Sequence, residues 1–587
     1  MKDIIKFFLV AVFVAGCFSY TSAQVNQDTR KKPDPADKFT ELMSLVRNYY
    51  TDTVNEEKIT EDVIQKALED LDPHSSYVPA KDVKASEEKL VGNFDGIGIS
   101  FQILKDTIVV LEVIPSGPSE KVGLLAGDKI IKVNDTIVAG IKIGNDGVIK
   151  KLRGPKDTKV NVSIMRAYEH GLIDFTITRG KIPIFSVTAS YMAAPGVGYV
   201  KIERFAANTM QEFITAVQKL RDVGMHDIII DLQGNGGGYL YTVIDLCNQF
   251  LGENELIVYT QGVHSPYYPY YSNNRGTFKD GKVVVMIDEG SASASEILSG
   301  CLQDNDRALL VGRRTFGKGL VQKPFTLSDG SEVKLTTAHY YTPSKRCIQK
   351  PYGAGNKEYR EDYKERFESG ELFGTDTFKY TDTVKYYTKN RRVEHGGGGI
   401  MPDYFVPYDT SENSTLFNQL VRRGVENKFC LDYVETNRKE LMTNYPTADA
   451  FFYNYAVDKN VLTQYWAAAV ADSVIKLLPG SNPKMFEDYF TTVKNDSAAD
   501  FAKDFTKSEK LIKARLKATI GRNLFDVGMF YRVANATINN VYAEALKVIT
   551  SPERFNVLLP HNNDMEDGKN KGGKGEKLKK KVKIISE

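Results

Sequence analysis

Gly290-Ser291-Ala292-Ser293-Ala294-Ser295-Glu296 is the stretch on which the reading of this chain turns. An uninterrupted apolar run at 283–287 reads as a buried strand before it, and Ile297-Leu298-Ser299-Gly300-Cys301-Leu302 reads as a helix after it. A small-residue turn between strand and helix sets a serine at a helix N-terminus. Free N–H groups and the helix dipole there favour a developing negative charge, and small neighbours let a substrate backbone approach. Taken alone, the same residues also read as a Ser/Ala-rich N-cap with no chemistry.

Two more stretches lie to either side. Gly312-Arg313-Arg314-Thr315-Phe316-Gly317-Lys318-Gly319-Leu320-Val321-Gln322 places a lysine between two glycines after another buried strand. No Walker pattern precedes Lys318, so a phosphate contact is not indicated. It reads either as a surface lysine or as a general base, and the second requires burial to lower its pKa from about 10.4. Upstream, Asp231-Leu232-Gln233-Gly234-Asn235-Gly236-Gly237-Gly238 closes a strand at 228–232. A glycine run there is either a flexible turn or a set of exposed amides suited to an oxyanion hole.

Together the three stretches resemble the C-terminal processing peptidases, also called tail-specific proteases. Ser293 lies in that family's Ser-Ala-Ser-Ala-Ser-Glu run, Lys318 follows 25 positions later within Thr-Phe-Gly-Lys-Gly, and Gln322 comes 4 positions after that, all at the family's spacing. The Asn-Gly-Gly-Gly run at 235–238 matches as well, as do Leu71-Asp72-Pro73-His74-Ser75 and Gly397-Gly398-Gly399-Ile400-Met401-Pro402-Asp403. The resemblance covers residues 37–408. It implies Ser293 as nucleophile, Lys318 as general base and Gln322 as the residue that orients or hydrogen-bonds the lysine. It also implies the Gly238 and Ala294 N–H groups as oxyanion hole, and Gly96-Ile97-Gly98-Ile99 as the carboxylate-binding loop of a PDZ domain. One position departs from the family: Gln233 stands where an arginine follows Asp-Leu, which leaves open the packing or substrate contacts made there.

The expected architecture is multidomain α+β. Helical spacing marks an N-terminal module at 37–90, with one of its helices ending at the Pro73 turn. Short strands and glycine turns at 91–181 form the PDZ domain, and alternating strands and helices at 182–408 form an α/β, crotonase-like protease core. Helical spacing returns in a C-terminal domain at 409–556, and a Lys-rich tail, 557–587, follows. Within the core, 351–390 is charged, aromatic and weakly patterned, so it reads as a surface insertion.

The chain has 587 residues, 42% hydrophobic and 26% charged, with a net charge of +2. That is enough apolar material for several cores, and no global field favours nucleic acid. Lys2 and Lys6, the apolar run 7–16 and Thr21-Ser22-Ala23 read as a signal peptide, 1–23. Val14-Ala15-Gly16-Cys17 also fits a lipobox, in which Cys17 would carry a lipid tether. Either reading places the protein outside the cytoplasm, in a bacterial periplasm or envelope. Cys247, Cys301, Cys347 and Cys430 have no CxxC spacing, and no His/Asp/Glu cluster has metal-ligand spacing, so neither zinc nor any other cofactor is expected. None of the seven histidines is spaced to pair with Ser293; His74 reads as a structural contact after a proline turn.

The function expected is a serine endopeptidase with a Ser–Lys dyad. It would capture exported polypeptides by apolar C-termini through the PDZ domain and cleave them nearby. The C-terminal helices would dimerise the chain, gate access, bind an adaptor or simply pack. The alternative of a different class is a non-catalytic, PDZ-containing peptide-binding scaffold. An acyl-CoA enzyme with a glycine oxyanion hole would leave the PDZ-like segment and the signal peptide unexplained.

Overall fold

The structure, a computed structural model, describes residues 34–559 except 115, 167, 168, 354, 375–380 and 473–496. The signal peptide with its Cys17 lipobox, and the tail from 560 onward, lie outside the described residues. The described residues fall into two compact units that divide between residues 70 and 71. In the first, helices Pro35–Tyr49 and Glu56–Leu71 are joined by an ion pair from Arg47 to Glu56 at 2.6 Å.

The second unit is built on a six-stranded sheet. Its order is Val187–Ala194, Val197–Ile202, Asp227–Asp231, Val283–Ile287, Leu309–Gly312 and Tyr404–Phe405. The first pair is antiparallel and the others are parallel. Central parallel strands buried on both faces read as continuous apolar runs, which explains why 228–230 and 283–287 carry no polar residue. Helices Thr209–Asp222, Leu240–Asn248 and Ala294–Asp304 pack on one face through Phe213, Leu246, Leu298 and Leu302. Helices Asn540–Thr550 and Pro552–Leu558, from the far end of the chain, cover the other face through Val541, Ala545, Val548 and Phe555.

This topology gathers the chemistry. The glycine run follows the C-terminal end of Asp227–Asp231, the Ser293 turn follows Val283–Ile287, and the Lys318 loop follows Leu309–Gly312. The three strands are adjacent, so all three turns emerge at one edge, where open α/β sheets bind their ligands. A second sheet supplies a wall. Leu320–Thr326 pairs with Glu332–Tyr341, which also pairs with Glu253–Gly262 and with the short strand Ser76–Val78.

Asn93–Gly96 pairs with Gly180–Pro183 at the root of the PDZ domain. The domain's own sheet runs in the order Ile99–Leu104, Thr107–Val113, Lys129–Val133, Lys159–Met165, Ile173–Thr178. The C-terminal helices Thr415–Arg423, Val425–Asn444, Lys459–Ala471 and Ser497–Leu524 have a separate core that includes Leu416, Phe429, Trp466 and Leu516.

The stretch expected to be a surface insertion is partly interior. Helix Asn356–Glu368 buries Tyr359 and Arg366. Arg366 and Arg314 both donate to Glu371 Oε1, at 2.9 and 2.8 Å. Its inward contacts are polar and aromatic, so apolar periodicity could not reveal them.

Candidate active site

Ser293 caps helix Ala294–Asp304 at φ 57°, ψ −114°. A residue with a Cβ is held in such a region at a cost of about 1–3 kcal/mol, and only where its surroundings fix it. Here they do. The Ser293 N–H donates to Glu296 Oε2 at 2.8 Å. The Ala292 N–H and the Ser295 hydroxyl both donate to the Asn235 carbonyl, at 3.0 and 2.8 Å. Asn235, itself buried, accepts from the Gly237 N–H at 2.9 Å and donates to the Ile202 carbonyl at 2.9 Å. The glycine run and the serine turn are therefore one hydrogen-bonded body.

Two of those glycines are required by space and backbone. At Gly237, φ is +103° and a Cβ would lie 2.8 Å from Ser293 Cβ. At Gly238, φ is +153° and a Cβ would lie 2.1 Å from the Phe205 carbonyl oxygen. The Phe205 N–H donates to the Gly237 carbonyl at 3.0 Å, and the Tyr239 N–H donates to the Phe205 carbonyl at 2.8 Å. The Gly238 and Ala294 amides make no hydrogen bond among the described residues.

Glu296 is fully buried and accepts four bonds. Besides Ser293 N–H, the donors are the Thr315 hydroxyl at 2.6 Å, Gly317 N–H at 2.6 Å and Lys318 N–H at 2.9 Å. Burial pushes its carboxyl up, and these donors draw it back. Tyr340 closes the same unit from the carbonyl side. Its hydroxyl donates to the Lys318 carbonyl at 2.6 Å and lies 3.2 Å from the Ser293 carbonyl. One carboxylate thus holds the N–H groups, and one phenol the C=O groups, of both Ser293 and Lys318.

Ser293, Ala294, Gly238, Lys318 and Gln322 line one cleft of about 440 Å³, with Tyr340, Ile297 and Leu240 among its other walls. Burial lowers the Lys318 amine from its ordinary value, against the opposing pull of Glu296 and Asp72. Neither hydrogen bond nor ion pair engages its Nζ among the described residues, and no hydrogen bond joins it to Ser293. Catalytic contacts commonly stay loose until substrate is bound.

Gln322 Nε2 donates to Thr336 Oγ1 at 3.1 Å. Thr336 in turn donates to Asp72 Oδ1 at 3.1 Å. Asp72 also accepts from the N–H groups of His74 and Ser75, at 2.8 and 2.9 Å, and from the Ser75 hydroxyl at 2.6 Å. The proline turn at 71–75 is thereby wired into the cleft wall. His74 Nε2 meets the Tyr359 hydroxyl at 2.7 Å, and its ring packs edge-on against Phe316. Burial first, then the Lys318 charge, lowers its pKa to about 4. It is a neighbour of the lysine, not a partner of the serine. Gln233 points away from the cleft: its Oε1 accepts from Asn539 at 3.0 Å, and its carbonyl accepts from Lys201.

Sequence reasoning gave no role to Glu296, Tyr340, Asp72 or Thr336. Glu296 had a local signal, the Ser-x-x-Glu spacing of a capping box. Asp72 lay within the matched stretch 71–75, and Tyr340 and Thr336 had no signal. Among the described residues no group of His, Cys, Asp and Glu could hold a metal.

The PDZ loop lies apart from these residues. The Ser119 N–H and hydroxyl both donate to the Ile97 carbonyl, at 3.0 and 2.7 Å, and the Ile114 N–H donates to the Gly98 carbonyl at 2.9 Å. The loop's carbonyls are thus bound within the domain. The strand that follows, Ile99–Leu104, is the edge of its sheet.

A hydroxyl in a cleft with unspent amides beside it is what a peptide carbonyl needs in a serine-type peptidase, here one that carries a PDZ domain. Comparison with known proteins narrows the class. The model of peptidase family S41 matches residues 196–355, that of the PDZ domain matches 96–178, and a family of unknown function matches 416–526. The carboxy-terminal processing protease CtpB of Bacillus subtilis is 33% identical over 332 residues, 56% of this chain and 68% of that protein. The carboxy-terminal-processing protease of Bartonella bacilliformis is 33% identical over 354 residues, 58% of this chain and 80% of that one. Among solved structures, the photosystem II D1 C-terminal processing protease is 26% identical, with a TM-score of 0.32, over 63% of this chain and 86% of that one. The chain belongs to peptidase family S41, with the carboxy-terminal processing proteases.

Proposed function

We propose that this protein is an endopeptidase whose nucleophile is Ser293 and whose general base is Lys318, acting on polypeptides outside the cytoplasm and selecting them by apolar C-termini. The observation that carries the reading is the Lys318 amine, partly buried and without a counter-ion among the described residues, in the cleft that holds Ser293, with its pKa lowered by burial. A neutral amine accepts the Ser293 proton as Oγ attacks the scissile carbonyl. The Gly238 and Ala294 amides receive the oxyanion. Lys318 then passes the proton to the leaving amine, and a water, deprotonated the same way, releases the acyl group. Gln322 Oε1, which has no donor among the described residues, is an acceptor for the ammonium while it lasts.

The Gly96–Ile99 loop and the open edge of Ile99–Leu104 suit a peptide added as a strand with its terminal carboxylate on backbone amides. Export rests on residues 1–23, and Cys17 supplies a lipid tether if the lipobox is used.

The test is digestion of an unfolded polypeptide with an apolar C-terminal tail. Ser293→Ala and Lys318→Ala should each lower kcat/KM by about 10³-fold or more. Amidating the tail should raise KM. Undiminished cleavage by Lys318→Ala would remove the lysine from its role, and undiminished cleavage by Ser293→Ala would leave the scaffold reading.

A further inference from the structure

One wall of the cleft holds charge that the dyad does not use. Glu332 is only 4% exposed, yet it lines the cleft. Its Oε1 has no hydrogen-bond partner. Lys334 Nζ forms an ion pair with that oxygen at 3.6 Å, beyond hydrogen-bond reach, and donates to Ser86 Oγ at 3.4 Å. A buried carboxylate oxygen without a hydrogen-bond donor is costly and persists where something else supplies one. Glu87, on the exposed side of helix Ala80–Val91, lines the same cleft, and its carboxylate makes no hydrogen bond among the described residues. Tyr239 stands near both: burial first, then Tyr241, Glu87 and Glu332, push its hydroxyl up. Two carboxylates against one ammonium leave this wall net negative.

We propose that Glu332, Glu87 and the Tyr239 ring form a subsite for a basic side chain, lysine or arginine, of the polypeptide beside its scissile bond. A guanidinium or ammonium supplies the donors Glu332 lacks, and an aromatic ring beside the carboxylates adds a cation–π contact. The apolar walls at Leu90 and Leu240 suit the methylene stem of such a side chain, whose charged end reaches past them. The inference rests on the peptidase reading of this cleft. It concerns a residue near the bond cut, separate from the chain end held by the PDZ loop.

The experiment uses the full chain and peptides that share one apolar C-terminal tail. They differ only in carrying Arg, Lys, norleucine or Glu at single positions either side of the scissile bond. At one position Arg or Lys should exceed norleucine in kcat/KM by about tenfold, with Glu poorest. That ratio should fall to within about twofold in Glu332→Gln and, separately, in Glu87→Gln. Glu87→Gln changes an exposed helix position, so it reports even if Glu332→Gln fails to fold. A wild-type enzyme that cuts every peptide without preferring a basic residue would overturn the subsite and leave the peptidase reading standing. A preference that survives both substitutions would do the same. A Ser293→Ala chain that cuts like wild type would overturn both.

Discussion

An ordinary lysine is almost wholly protonated at neutral pH, with a pKa of about 10.4. Burial therefore matters more to Lys318 than any single contact does. The same burial reaches His74, whose pKa falls from 6.5 to about 4. Between those values the unfolded chain binds the proton and the folded one does not, so stability rises with pH across that window. The contribution of neutral His74 is full above 6.5 and is lost as pH falls to about 4. The melting-temperature advantage of wild type over His74→Gln should therefore shrink on going from neutral pH to the lower end of that window. An advantage that stays constant would contradict the shift.

At the scale of elements, the strand Glu332–Tyr341 and the helix Ala294–Asp304 hold Ser293 and Lys318 between Tyr340 and Glu296. Tyr340→Phe keeps the ring in its buried place and removes the donor to the Lys318 and Ser293 carbonyls. Loss of a buried hydrogen bond costs about 1–3 kcal/mol, and a small displacement of catalytic groups costs up to about 10²-fold in rate. The expected result is a 10- to 100-fold fall in kcat with KM nearly unchanged; an unaltered kcat would show that the clamp is not needed. The three turns that line the cleft were legible in the sequence because each is local: an apolar strand, small residues, then a helix or another strand. Tyr340 and Thr336 were not legible, because Tyr340 lies 47 positions from Ser293 and Thr336 lies 264 from Asp72. Only the pairing of Glu332–Tyr341 with Leu320–Thr326 and Ser76–Val78 brings them in. Nor could the sequence show that Gln322 would turn toward Thr336.

At the scale of the whole molecule, the α+β layering followed from alternating periodicities, but the assignment of helices to cores did not. Helical spacing runs through 409–556 without a break in kind. The structure divides it: helices from Thr415 to Leu524 close around Phe429 and Trp466, whereas Asn540–Thr550 and Pro552–Leu558 roof the central sheet over Ile229, Val284 and Met286. Periodicity reports that a helix has an apolar face, not which face it meets. A chain ending at residue 526 should expose that side of the sheet and fail to fold, giving insoluble protein on expression; a soluble, active truncation would contradict the packing. The central claim is that a neutral Lys318 activates Ser293. Its most direct test is the rate at which a fluorophosphonate modifies Ser293, followed from about pH 5 to about pH 10. The account predicts a rise through one ionisation below the roughly 10.4 of a free lysine, absent in Lys318→Ala, which should react at least about 10³-fold more slowly. A variant with the wild-type rate and the same ionisation would contradict it.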